Sequence, residues 1–167
     1  MSILMNGIIL IGPPKSGKTV FARRLASKCK LAHLSLDALI DAFENIFPEH
    51  GITHDGPSTA QICANAKPFV EHWLERQLHY RIPFLLEGFH LDLESLHQRF
   101  SERAVRIVCI GYPSMLGVDK VTLTRKFSVK PDWTDRISDD KMMVWFDHAA
   151  GVSLHRSQVF EPVSDAG

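Results

Sequence analysis

The stretch from Ile8 to Thr19, IILIGPPKSGKT, constrains the fold more than any other part of the chain. Ile8 to Ile11 is a short, largely β-branched run, Gly12 breaks it, and beyond Thr19 the residues Val20, Phe21, Leu25 and Ala26 return with helical spacing. The order is therefore strand, loop, helix. Gly12 lets the chain turn off the strand, and a side chain at Gly17 would obstruct a close approach of backbone to whatever the loop encloses. A loop of this length curls so that successive N–H groups point at one anion, and the helix that follows adds its unpaired donors and positive dipole end.

Gly12-Pro13-Pro14-Lys15-Ser16-Gly17-Lys18-Thr19 fits G-x-x-x-x-G-K-[ST], the phosphate-binding loop of nucleoside triphosphate enzymes. Gly12, Lys15, Ser16, Gly17, Lys18 and Thr19 are the expected contacts to ATP. Lys18 supplies the cation for the β/γ phosphates and Thr19 a hydroxyl for Mg²⁺. Pro13 and Pro14 stiffen the loop, Lys15 is equally well read as a solvated charge, and Arg23 and Arg24 as surface charges.

At 167 residues the chain has the size of one domain, with 45% hydrophobic and 23% charged residues, as in ordinary globular proteins. Nineteen basic residues balance nineteen acidic ones, so no net field draws in nucleic acid or an anionic membrane. Cys29, Cys63 and Cys109 are odd in number and far apart, which suggests neither a disulfide framework nor a cysteine zinc site. No basic leader precedes the first strand and no apolar run reaches membrane-spanning length, so the expected location is cytoplasmic. The nine histidines show no metal-ligand spacing.

Beyond the first helix, which should end near Lys30, the alternation Leu34, Ser35, Leu36, Asp37 reads as a second strand ending at Asp37, with a short helix over 38–47. A loop at 48–57 leads to a long helix from Ser58 to about Arg81, kinked or interrupted by Pro68. A third strand over 83–89 ends in Glu87-Gly88, a helix covers 91–103, and a fourth strand spans 105–113. Strands separated by helices imply parallel β-α-β units, hence an α/β, doubly wound parallel sheet with helices on both faces. Residues 114–137 mix basic residues, glycine and proline, 138–150 reads as a helix capped by Ser138, and 158–161 is a possible fifth strand.

On these residues the chain resembles the P-loop kinases of nucleotides and small metabolites, the adenylate kinase, shikimate kinase and gluconate kinase group. The resemblance implies the three-layer P-loop NTPase fold with strand order 2-3-1-4-5. It also implies an acidic residue ending the strand after the first helix, and a mobile lid whose arginines close over ATP. Asp37, Glu87 and the 114–137 segment with Arg125, Lys126 and Arg136 stand where those features belong. Asp37 is read either as the cap of the following helix or as the group that takes the acceptor's proton or holds Mg²⁺ through water. Glu87 sits at the strand end where ligands of open α/β sheets bind, beside the metal's water shell or the nucleophile.

The leading expectation is transfer of the γ-phosphoryl of MgATP to a small-molecule or nucleotide acceptor bound by the 37–80 region, with Lys18, Asp37, Glu87, Arg125 and Arg136 in catalytic roles. The cations between the second and third strands are few, Lys67, Arg76 and Arg81, which favours a less charged acceptor over a nucleoside monophosphate. A GTPase reading lacks an Asn/Thr-Lys-x-Asp stretch for guanine. A catalytically silent nucleotide sensor is the alternative from another class, and an exposed edge strand leaves room for a homodimer.

Overall fold

The computed structural model describes residues 6–54, 58–100, 102–111, 117–127, 133–144 and 146–147. The chain divides into two compact units, one of residues 1–11 and 17–109 and the other of residues 12–16 and 110–167.

In the first unit β1 (Gly7–Ile11) is followed by α1 (Lys18–Cys29), β2 (Ala32–Ser35), α2 (Leu36–Ile46), a 3₁₀ turn at Pro48–His50, α3 (Thr59–His79), β3 (Phe84–Gly88), α4 (Leu93–Phe100) and β4 (Val105–Cys109). The four strands form one sheet in the order β2-β3-β1-β4, every pair parallel. Every residue of β1 and β3 is buried, which explains their unbroken apolar runs: central parallel strands are covered on both faces. Ile9, Leu10, Phe84, Leu85 and Leu86 form the centre of this core. Gly7 is required there, because a Cβ would stand 2.2 Å from the Phe84 ring.

The second strand is shorter than its alternation predicts. It ends at Ser35, and Leu36 opens α2. Leu36 is fully buried, packed so closely that a Cβ on Gly88 would lie 2.6 Å from its own Cβ. The Leu34/Leu36 periodicity thus has two causes, a strand residue and a helix residue buried against the neighbouring strand. Asp37 is accordingly not the cap: Ser35 holds that position, without a side-chain hydrogen bond, and Asp37 lies in the first turn.

Helix α3 runs 21 residues without a break, capped by Ser58, whose Oγ accepts from Gln61 N at 3.2 Å. Pro68 does not interrupt it. Both Pro68 and Ala64, whose carbonyl receives no N–H from the proline, are exposed, so the missing rung lies on the solvent-facing side of the helix. Buried Glu71 ties α3 to α4: its carboxylate accepts from Ser95 Oγ and from Arg99 Nη1, each at 2.7 Å. Both oxygens of the buried acid are therefore satisfied.

In the second unit α5 spans Gly117–Phe127, a 3₁₀ turn covers Trp133–Arg136, and residues 139–144 and 146–147 are helical. The expected Ser138 cap is present, with Lys141 N donating to its Oγ at 3.4 Å. The 114–137 segment holds a regular helix that its composition did not announce. Val121, Met142 and Phe146 form a small core there, and Gly117 N donates to Asp147 Oδ1 at 2.7 Å. The possible strand at 158–161, together with 114–116 and 128–132 of the lid-like segment, lies outside the described residues. Among the described residues no helix is long and apolar enough to cross a membrane.

Candidate functional site

The C-terminal end of β3 and the first turns of α1 and α2 bring four predicted residues together in the first unit. Gly17, at φ 82°, is the N-cap of α1 and offers no side-chain cap to the helix's first N–H groups. That backbone conformation suits glycine, and it leaves the donors of the first turn available. Lys18 and Thr19 open the helix, and Thr19 Oγ1 donates to Glu87 Oε1 at 3.1 Å.

Glu87 is wholly buried and its Oε2 has no hydrogen-bond partner among the described residues. A carboxylate kept out of water with an open oxygen is costly, and such groups mark sites whose partner is a ligand. Lys18 is also buried, at 4% exposure. Burial lowers its pKa, and the negative charges of Asp37 and then Glu87 pull it partly back up. Asp37, in the first turn of α2, thus acts on the same lysine as Glu87 does. Parallel register sets Glu87 beside Leu10 on one side and Ser35 on the other.

Sequence reasoning passed over His33. On β2 it is exposed, with Nε2 4.0 Å from Glu87 Oε1. Its signal was the strand period: two residues before Ser35, it shares that residue's face, the one Glu87 occupies on β3. A second cluster also escaped notice. Asp41, Glu44 and His54 bring ligand atoms within 4.8 Å of one another, with His54 Nε2 3.1 Å from Asp41 Oδ1. Glu44 accepts from Thr53 Oγ1 at 2.8 Å and from His54 N at 3.3 Å. Those hydrogen bonds, the Thr53 one foremost, hold the Glu44 carboxyl below its usual pKa.

The rest of the predicted loop belongs to the second unit. Ser16 N donates to Pro13 O at 3.2 Å, closing a tight turn in which Lys15 adopts φ 59°. A Cβ on Gly12 would stand 2.1 Å from Ile110 O, so glycine is obligatory there by contact. Ser16 is buried with its Oγ lacking a hydrogen-bond partner among the described residues, while Lys15 is half-buried.

The predicted lid arginines are placed differently from each other. Arg125 donates through Nε to Asp139 Oδ1 at 2.8 Å and through Nη2 to Ile137 O at 2.6 Å. Asp135 lies 4.0 Å from its Nη1. Arg136 is exposed at the end of the 3₁₀ turn.

The hydroxyl of Thr19 and the carboxylates of Glu87 and Asp37 are hard oxygen donors of the kind that holds Mg²⁺ directly or through water. Lys18 and the uncapped start of α1 are suited to an anion. No family model matches this chain, and no curated protein matches it.

Proposed function

We propose that the chain is an ATP-dependent phosphotransferase of the P-loop type. The observation that carries the reading is the buried Glu87 carboxylate, one oxygen held by the Thr19 hydroxyl and the other open, beside the buried Lys18. The strand order β2-β3-β1-β4 of the described residues supports it, since it matches the first four places of the order 2-3-1-4-5. On this reading the fold is a three-layer, doubly wound P-loop NTPase.

MgATP, when bound, supplies the phosphoryl group. Lys18 and the N–H groups opening α1 would neutralise its phosphate charge, and Thr19 and Glu87 would hold the cation, directly or through its water. Asp37 accepts the proton of the acceptor hydroxyl. That oxygen forms a bond to the γ-phosphorus while the β–γ bridging bond breaks and ADP leaves with its electron pair. Positioning and electrostatics carry most of the acceleration.

A silent nucleotide sensor is the second reading, favoured by the commitment of Arg125 to Asp139 and Ile137 O rather than to an open site. Acceptor-dependent ADP release separates the two. Release from MgATP is followed with pooled hydroxylated metabolites and nucleotides, with Lys18→Ala as blank. Stimulation above the blank supports the phosphotransferase. ATP binding with no stimulation by any pool favours the sensor.

A further inference from the structure

The acceptor side of the site has a definite charge. Asp37, Asp41 and Glu44 follow one another at helical spacings of four and three residues, so they share one face of α2. At a rise of 1.5 Å per residue the row extends roughly 10 Å from Asp37, the length of a small polyhydroxylated molecule. The row begins beside a group that independently calls for a ligand: Ser35, just before α2, is the strand partner of Glu87, Leu36 packs against Gly88, and the buried Oε2 of Glu87 is open. At the far end His54 pairs with Asp41, and its ring centroid lies 6.3 Å from that of His90, which follows β3.

The cations of the same segment lie elsewhere. The sequence between β2 and β3 contains Lys67, Arg76 and Arg81 as its only lysines and arginines. Lys67 Nζ is 3.2 Å from Asp92 Oδ2 and 4.0 Å from Glu71 Oε1. Arg76 lies over the Tyr80 ring in the last turn of α3, and Arg81 follows with φ 55°. Both precede β3, whereas Glu87 stands near its end, with about 10 Å of strand between the two edges. A phosphate on the acceptor would meet three carboxylates and none of these cations.

We infer that the acceptor is a hydroxylated small molecule without anionic groups, neutral or amine-bearing, laid along the Asp37–Asp41–Glu44 face of α2. Hydroxyl or ammonium hydrogens donate to Asp41 and Glu44, and the reacting hydroxyl meets Asp37. This inference rests on the phosphotransferase reading, and the test separates the two.

MgATP is first titrated alone by calorimetry; absence of binding overturns the phosphotransferase reading itself. ADP release is then measured with three acceptor pools: neutral polyols, amino-polyols, and phosphomonoesters including nucleoside monophosphates. Stimulation by the first or second pool alone is expected. In Asp41→Asn and Glu44→Gln, both at exposed or half-buried positions, the KM of the active acceptor should rise roughly tenfold. Stimulation by phosphomonoesters, by no pool despite ATP binding, or an unchanged KM in both variants overturns the acceptor assignment while ATP binding stands.

Discussion

Replacing Lys18 by methionine should stabilise the ligand-free protein even though it removes the central cation of the site. Lys18 is almost wholly buried, and its pKa lies below 10.5 because desolvation outweighs the attraction of Asp37 and Glu87. That balance already counts the pairing with both carboxylates, so the ionised lysine is a net cost to the fold. Each unit of depression corresponds to about 1.4 kcal/mol at neutral pH. In a chain of 167 residues that is a gain of roughly 2–4 °C in Tm per kcal/mol once methionine fills the same volume. Between the lowered folded value and 10.5 the unfolded chain binds more protons than the folded one, so wild-type stability should rise with pH through that window. Lys18→Met should lose this rise and start from a higher Tm at pH 7. Thermal melts by circular dichroism at pH 7 and pH 10 read both quantities. A lower Tm at pH 7, or a pH dependence identical to wild type, would refute the reasoning.

Other perturbations probe the neighbouring structure. Leu36→Ala should cost about 2–5 kcal/mol in urea unfolding, since the side chain is fully buried. Gly88→Ala should cost about 1–3 kcal/mol through the clash with the Leu36 Cβ, and combining it with Leu36→Gly, which removes that Cβ, should restore part of the loss; strict additivity would deny the contact. Thr19→Ala removes one hydrogen bond, about 1 kcal/mol of stability, yet should raise the Mg²⁺ concentration needed for half-maximal ADP release; an unchanged metal requirement would remove Thr19 from the cation's neighbourhood. Asp147→Ala should speed amide exchange over 117–121 by loosening the start of α5, a change that exchange mass spectrometry would register.

Where the sequence was readable, backbone chemistry made it so. The run Ile8–Ile11, the glycines at 12 and 17, and Ser58 before α3 each state a local conformation that packing did not override. Leu36 misled because alternation over four residues cannot separate a strand from a strand followed by a buried helix start. Helix α5 was hidden by Gly117, which its composition presents as a breaker. In the structure that glycine is needed where a Cβ would stand 2.6 Å from Asp147 Oδ1. His33 and the Asp41–Glu44–His54 cluster were illegible for a different reason: their partners are set by β2–β3 register and by the return of the 51–54 segment onto α2. Glu87 was readable as a strand-end acid, but its complete burial beside Lys18 follows only from tertiary packing.

The proline within α3 divides one long helix into two mechanical pieces. With no N–H at 68, the ladder lacks a rung between Ala64 and Pro68, and the turn that spans it is held by one bond fewer than its neighbours. Its N-terminal piece carries buried Ile62, Cys63 and Ala66; its C-terminal piece carries Val70, Glu71 and Leu74, anchored by Arg99. Fraying that starts at Ser58 therefore has a natural stopping place one turn before the Glu71 ion pair. The thiol of Cys63 sits in the first piece, and its rate of capture by a small reagent times the loosening of that piece separately from global unfolding.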